Sequence, residues 1–532
     1  MTTTSYSYSL GAQPVMSNNS EQPARDLVAF TDCELIRLNE QMVLAINRFN
    51  GKQQVIAPQV VDALTYCSTF ETIDAHAHAL ARTRPELNGN MTMAQNALNT
   101  LNNAGMLLRA SDMVKRFKSV AKTQVAPTRV FVITCDRPAA VERLLDSMLE
   151  IDQLSRHEAF YVIDDSRDPE NQRANADLVA AFSTRTAKGM TYFGPAQQQA
   201  LMRDIITALP EHEQGIRFLI DQARWIDQNS YGRSRTLALL LSVGCRAIVL
   251  DDDILCRALK PIIEEPGIGF GGGTRQAAFF PDNSTMMNLM QDTGFDALSG
   301  HAEQLGQPLG HAVHTLKGAD LTVKDLESVN AMLVNVLKPE GRVLITQSGS
   351  WGDPGTGGAH WALSLDPDSV DRLLAAPHGM TEAITNRRMW LGSPRPSIVK
   401  MAVMSQMTGL DNSALLPPYF PVFRGEDLLF GAMVETMHHD GSAIEYGWSV
   451  PHFPIQKKET HMREPIAAKG GIGMFARYLT ERVDYKDAAN PEIRLQTIAW
   501  DLRRMACRSD SDLIIDHRPQ LGQAHGDQLR HL

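Results

Sequence analysis

The sequence predicts an α/β protein with a smaller α+β module at its amino end. From residue 128 to 253, short apolar β-branched runs alternate with helical patterns, the order that builds a parallel sheet. Those runs end in polar, mostly acidic residues, and ligands of such sheets bind at the carboxyl ends of the strands. Within residues 26–115, by contrast, β-prone runs come first and helical periodicity follows.

Residues 1–25 are rich in Ser, Thr and Asn and are expected to be disordered. CELIRL, MVLAINRF and QQVIAP then read as strands, with FNGK as a turn. QVVDALTYCSTF, ETIDAHAHALART and TMAQNALNTLNNAGMLL read as helices, the last stopping at Ala104 and Gly105. Residues 116–127 read as a linker. Thr128–Thr134 is expected to be a buried strand, and Pro138 opens the helix behind it, where a missing N–H costs nothing. AFYVIDD and CRAIVLDDD are the second and third strands, with ANADLVAAF and RSRTLALLLSVG as helices. The second domain is expected over 128–460, with 266–420 as a Gly-rich insertion. KDLESVNAMLVNVLKPEGRVLITQSG is the clear helix–strand unit within it. VFRGEDLLFGAMVETM reads as a loop entering a helix, with Gly441 of HHDG as its C-cap. Residues 471–507 read as an amphipathic helical segment and 508–532 as a loose tail.

Composition narrows the function. A net charge of −10 over 532 residues argues against a general nucleic-acid binder. The six cysteines, Cys33, Cys67, Cys135, Cys245, Cys256 and Cys507, show no CxxC spacing and fit reduced thiols in the cytoplasm. The amino end lacks the basic and apolar regions of a signal peptide, and no apolar run approaches about 18 residues, so no transmembrane helix is expected.

The third strand ends in Asp251, Asp252 and Asp253. Adjacent carboxylates repel, and burying an ionised one is costly; a divalent cation reverses that cost. Residues i and i+2 of an extended segment point the same way, so Asp251 and Asp253 are expected to face one Mg²⁺ or Mn²⁺ ion. Asp252 should face the other side and contact either a ribose or the fold. A bare DxD is more often a solvated acidic turn or a helix N-cap; its setting here argues otherwise.

Three further motifs precede it: Thr134-Cys135-Asp136-Arg137-Pro138, Asp164-Asp165-Ser166 and Gly232-Arg233-Ser234-Arg235-Thr236. In this order they resemble the GT-A glycosyltransferases, nearest to the family 2 type. Asp136 and Thr236 stand where that family has Asn, and the gap between Asp165 and Arg235 is longer. The resemblance implies a Rossmann-like domain that transfers a sugar from a nucleotide-diphospho-sugar, most naturally a UDP-sugar, to an acceptor that is a peptide, a saccharide or lipid-linked. It places Thr134 and Arg137 against the nucleotide, Asp164 on the base's imide N–H, and Arg235 on a phosphate or another part of the donor; a surface salt bridge is the other role open to Arg235. The metal held by Asp251 and Asp253 would bridge the diphosphate. Family 2 enzymes put the base that takes the acceptor proton in an acidic pair opening a later helix. FRGEDLLFG supplies it, with Asp427 as base, Glu426 as acceptor binder and transfer by inversion. An acid pair there also complements a helix dipole. His452 in SVPHFP matches the late third metal ligand of many GT-A enzymes, although a lone His near prolines is more often structural. The module at 26–115, with NAGML as its best local match, resembles winged-helix modules of the PqqD type, which bind leader peptides of ribosomally made peptides. That implies a peptide partner.

Competing signals are weaker. His76 and His78 of IDAHAHA mimic a barrel metal site, but on a helix they point about 200° apart. GIGFGGG with VLKPEGRVLI is similar to a methyltransferase glycine loop, yet PIIEEP, not an apolar strand, leads into it. Trp351 and Trp448 could stack on a sugar, and core packing suits each better. A scaffold or peptide-recognition protein with a degenerate transferase domain is the alternative of a different class.

Overall fold

The computed structural model describes residues 26–531 apart from 32, 118–119, 152, 272–274, 356–360, 363–364, 403–405, 457–474, 477 and 481–489. The stretch 1–25, parts of both glycine-rich stretches and part of the expected helical segment 471–507 thus lie outside the described residues, while Pro491–Ala506 of that segment is a helix as expected. The chain divides into two compact units, Met1–Ser111 and Asp112–Leu532.

In the first unit, β1 (Val28–Phe30) is followed by β2 (Cys33–Arg37), β3 (Val43–Asn47) and β4 (Gln53–Ile56). β2, β3 and β4 form an antiparallel meander. Helices Pro58–Leu64, Ile73–Thr83 and Met91–Asn103 come next, and β5 (Leu107–Arg109) closes back antiparallel on β1. Thr72 and Asn90 cap the second and third helices through their side-chain oxygens. Gly105, just past the third helix, takes the left-handed φ of 75° that ends a helix cleanly. Val28, Phe30, Leu64, Leu98 and Met106 make the core. The meander leaves Leu35, Ile36, Leu38 and Val55 between 42% and 51% exposed.

The second unit is built on β6 (Thr128–Thr134), β7 (Ala159–Asp164), β8 (Met190–Phe193) and β9 (Arg246–Asp251), all parallel, in the order β9-β6-β7-β8. Val130, Val132, Val162 and Ile248 are fully buried, as strands covered on both faces require. Helices Pro138–Leu149, Pro169–Arg185 and Pro195–Ala208 each begin at a proline, where no N–H is needed.

Beyond β9 the sheet departs from the purely parallel one expected. β10 (Arg257–Leu259), β11 (Gly269–Phe270), β12 (Gln276–Phe279), β13 (Asp292–Asp296), β14 (Val343–Gly352), β15 (Met389–Gly392), β16 (Ser397–Val399), β17 (Met407–Leu410) and β18 (Ser442–His452) join it. The order runs β11-β16-β18-β14-β17-β9, with β17 antiparallel to both β14 and β9 and β14 parallel to β18. The result is a mixed α/β unit with thirteen described strands in one sheet. Residues 266–420 therefore supply strands of the sheet itself, not an appended insertion. The helix expected before β14 is short, Ala331–Val336.

Two further expectations are corrected. The helix Glu426–Met437 has His438 as its C-cap, and Gly441 lies in the turn beyond, its N–H donating to the His438 carbonyl. The tail expected to be loose carries a helix, Asp510–His531. Ser509 starts it, its Oγ accepting the Asp512 N–H and donating to the Asp512 carboxylate, and Arg508 pairs with Asp516. Among the described residues no helix is long and apolar enough to cross a membrane.

Candidate active site

The carboxyl ends of β6 and β9 open onto a cavity of about 520 Å³. Thr134 ends β6, and the turn after it places Arg137. Asp136 holds that turn in the left-handed region, at a φ of 54°, a conformation Asp tolerates better than most residues. Its Oδ1 accepts the backbone N–H groups of Arg167 at 3.1 Å and Asp168 at 3.0 Å.

The three aspartates meet three environments. Asp251 accepts from Arg235 Nη2 at 3.0 Å. Asp252 is fully buried: Thr134 Oγ1 donates to its Oδ2 at 2.6 Å, and Arg137 Nη2 lies 2.7 Å from its Oδ1. Burial pushes the Asp252 carboxyl up to about 7, while Arg137 pulls it down. Asp253 accepts from Arg137 Nη1 at 2.9 Å and stands 3.2 Å from His452 Nε2. Arg137 thus forks across Asp252 and Asp253. Asp252 serves the fold and does not reach a ribose, and Thr134 spends its hydroxyl on that carboxylate.

His452 ends β18, and an isolated bridge to Ile254 brings it beside the aspartates. Its Nδ1 donates to the Asp353 carbonyl at 2.6 Å, which turns Nε2 toward Asp253. Burial works against charge on His452, but the bond to Asp253 prevails and raises its pKa.

Arg235 reaches both halves of the site. From the helix Tyr231–Leu241 it bonds Asp251 on one side and lies 3.7 Å from Glu426 Oε1 on the other. Gly425, at a φ of 95°, turns the chain into the helix Glu426–Met437. Glu426 and Asp427 both line the cavity, and burial raises both carboxyl pKa values against the pull of Arg235. A carboxylate whose pKa is raised is the stronger proton acceptor.

The donors suit a divalent cation through two side chains. A histidine whose far nitrogen is held by a carbonyl, with a carboxylate at its near nitrogen, is a common ligand arrangement, and Mg²⁺ or Mn²⁺ completes its shell with waters and phosphates. Asp253 and His452 fit that description. Asp251, expected beside them, is instead engaged by Arg235. Among the described residues no group of three His, Cys, Asp or Glu side chains is placed to hold an ion.

Asp164 is not at the cavity. It is fully buried, accepting from the Ser166 N–H at 2.9 Å, Asn175 Nδ2 at 3.0 Å and Tyr192 OH at 2.8 Å, and does not line the cavity. Its neighbour Asp165 lines the cavity instead, ion-paired with buried Arg233 and bonded by Ser230 Oγ at 3.1 Å. Sequence reasoning also missed the Asp353–Arg387 ion pair behind His452, for which no motif gives a signal. Arg424 lies over the Tyr231 ring at 4.1 Å and lines the cavity with Arg167.

The competing signals resolve structurally. His76 is buried and its Nε2 meets the Val28 carbonyl at 2.8 Å, while His78 is exposed, so the two face apart. No strand leads into Gly267, since β10 stops at Leu259. Trp351 is fully buried and stacks on Phe280. Trp448 is buried against Tyr446. No protein-family model matches this chain, and no curated protein matches it.

Proposed function

We propose that the Asp112–Leu532 unit is a metal-dependent glycosyltransferase of the GT-A, family 2 type that uses a nucleotide-diphospho-sugar. The observation that carries this reading is Arg235, which ties the aspartates closing β9 to the acidic pair of a helix far along the chain, within one cavity. Arg137 and Arg235 are engaged by carboxylates, whereas Arg424 stacks on Tyr231 and Arg167 bonds the Gln228 carbonyl. Among the described residues lining the cavity, these last two guanidiniums are the cations available to a diphosphate. A divalent ion held by Asp253 and His452 would supply Lewis-acid stabilisation of the departing nucleoside diphosphate. Asp427 takes the acceptor's hydroxyl proton while Glu426 orients that hydroxyl. The acceptor oxygen bonds the anomeric carbon from the far side, and the electron pair of the breaking C–O bond leaves on the diphosphate.

The test is UDP-sugar hydrolysis by the full chain with Mn²⁺ and with chelator. Wild type turns over only with metal, Asp253→Ala loses metal dependence and rate together, and Asp427→Asn loses about 10²–10⁴-fold in rate while keeping donor binding. A wild-type chain that neither binds UDP nor turns over a nucleotide sugar would sink the reading.

One observation favours a second, compatible role. The exposed apolar residues Ile36 and Val55, aligned through Leu44 on one face of the meander, with Leu38 beyond them, give the winged-helix-like first unit a surface suited to a peptide. We infer that this unit recognises a peptide that the transferase modifies. Ile36→Lys should weaken peptide binding and leave donor hydrolysis unchanged; unaltered peptide binding would overturn it.

A further inference from the structure

Gln406 lines the candidate active site without taking part in its ion pairs. It immediately precedes β17, and its carbonyl accepts the Asp251 N–H at 2.9 Å. The residue is only 6% exposed. Among the described residues its side-chain amide has no hydrogen-bond partner. Unlike the sealed polar atoms of the interior, that amide keeps surface open to the cavity. Buried amides are nearly always satisfied, so this one points to a partner inside the cavity. Water can meet it in the free protein; a ligand that displaces the water must meet it instead. The other amides on the wall, Asn229 and Gln456, are exposed.

Its neighbours fix which part of a ligand it meets. The amide lies against Gly355, where an added Cβ would stand 2.6 Å from Gln406 Nε2 and 3.7 Å from His452 Cε1. Gly355, at a φ of 79°, leaves the amide its room. On the other side the Gln406 backbone is bonded to Asp251, whose carboxylate pairs with Arg235, and Arg235 reaches Glu426. Gln406 therefore stands between the Asp253–His452 pair and the Glu426–Asp427 pair. A transferred sugar must span that interval, with its diphosphate at the first pair and the acceptor at the second. The chemistry agrees with this placement. A glutamine amide is neutral and both donates and accepts, as a hydroxyl does. The carboxylates on either side disfavour a further negative charge between them, and Arg235 is already shared by Asp251 and Glu426.

We propose that Gln406 is a specificity-determining residue that bonds a hydroxyl of the transferred sugar, and that this sugar is a neutral one; the inference rests on the proposed transferase activity. Calorimetric titration of the full chain with Mn²⁺ would compare UDP with UDP-glucose, UDP-galactose, UDP-N-acetylglucosamine and UDP-glucuronate. One of the neutral sugars should give the tightest UDP-sugar complex. Gln406→Leu should weaken that complex about tenfold, the loss of roughly one hydrogen bond, and leave UDP binding unchanged. Gln406→Asn keeps the amide, draws it back by one CH₂ and asks less of the fold. It should weaken the same complex several-fold, again without effect on UDP. Both variants should narrow the preference among the neutral sugars, which a merely structural role would not do. The inference is overturned if UDP-glucuronate is the preferred ligand or if both variants bind the UDP-sugar as wild type does. It is overturned too if UDP weakens as much as the UDP-sugar, which would put the amide on the diphosphate. Each of those results leaves the transferase reading standing. A wild-type chain that binds neither UDP nor any UDP-sugar overturns both together.

Discussion

Arg235 holds Asp251 and Glu426 on either side of one guanidinium, and its charge lowers the pKa of both Glu426 and Asp427. Removing it raises both further, so a base in that pair stays protonated to higher pH. For Arg235→Gln the acid limb of the pH–rate profile should move upward by about one unit, equivalent to about 1.4 kcal/mol. A profile that does not move would show that neither acid serves as the base. Thr134 makes a different case. Its hydroxyl donates to the fully buried Asp252, so Thr134→Val strips a donor from a buried carboxylate. Chemical denaturation should show a loss of about 1–3 kcal/mol. The acids themselves were legible in the sequence, because a run of aspartates after an apolar strand is conspicuous. The pairings were not: Arg235 was read as a donor contact, and only the fold shows that it spends its charge on Asp251 and Glu426. Asp164 misled for a related reason. Its place at a strand end suggested a ligand, but Asn175 and Tyr192, on other elements, bond it away from the cavity.

Among the elements, the helix Tyr231–Leu241 is the one whose position the site cannot do without. It runs against the segment after β17 so closely that a Cβ on Gly232 would stand 1.9 Å from the Phe420 carbonyl oxygen. Gly232→Ala must therefore displace the helix. Thermal unfolding should report a loss of about 1–3 kcal/mol, and the activity should fall with it as Arg235 shifts. β6, β7 and β9 were readable from their apolar runs, and the first unit's meander from its turn. β8 was not, being four residues of mixed character. Apart from β14, which the helix–strand pattern announced, the strands from β10 to β17 escaped for a similar reason: each spans two to five residues, too few for periodicity to show. The helix Asp510–His531 contains Pro519 and is largely polar, so composition concealed what the Ser509 cap starts.

At the scale of the molecule, two buried histidines contribute to the acid sensitivity of the large unit. Burial holds His157 at about 4 and His301 at about 3, against about 6.5 in an unfolded chain. Between these values the unfolded chain binds more protons than the folded one, so stability rises with pH through that window and is complete above it. Denaturant midpoints measured from pH 4 to 7 should climb by up to about 1.4 kcal/mol per pH unit for each histidine. His301→Phe should flatten the slope by one proton's worth. An unchanged slope would mean that His301 is protonated in the folded state. The division into two units was visible as a change of pattern along the chain, whereas the mixed sheet was not, because strand direction is decided by partners that no local stretch reveals.

The arrangement of β17 between β9 and β14 has a consequence for how the molecule is made. A nascent chain that has left the ribosome as far as Asp253 already carries Arg137, Arg235 and all three aspartates, yet the strand that must lie against β9 is still untranslated. Until β17 and β18 emerge, the flank of β9 is an unpaired apolar edge, the kind of surface chaperones retain and aggregates recruit. Stalled or prematurely terminated products should therefore be insoluble as well as inert. In timed synthesis, ligand binding at the site should appear only after His452 has cleared the exit tunnel.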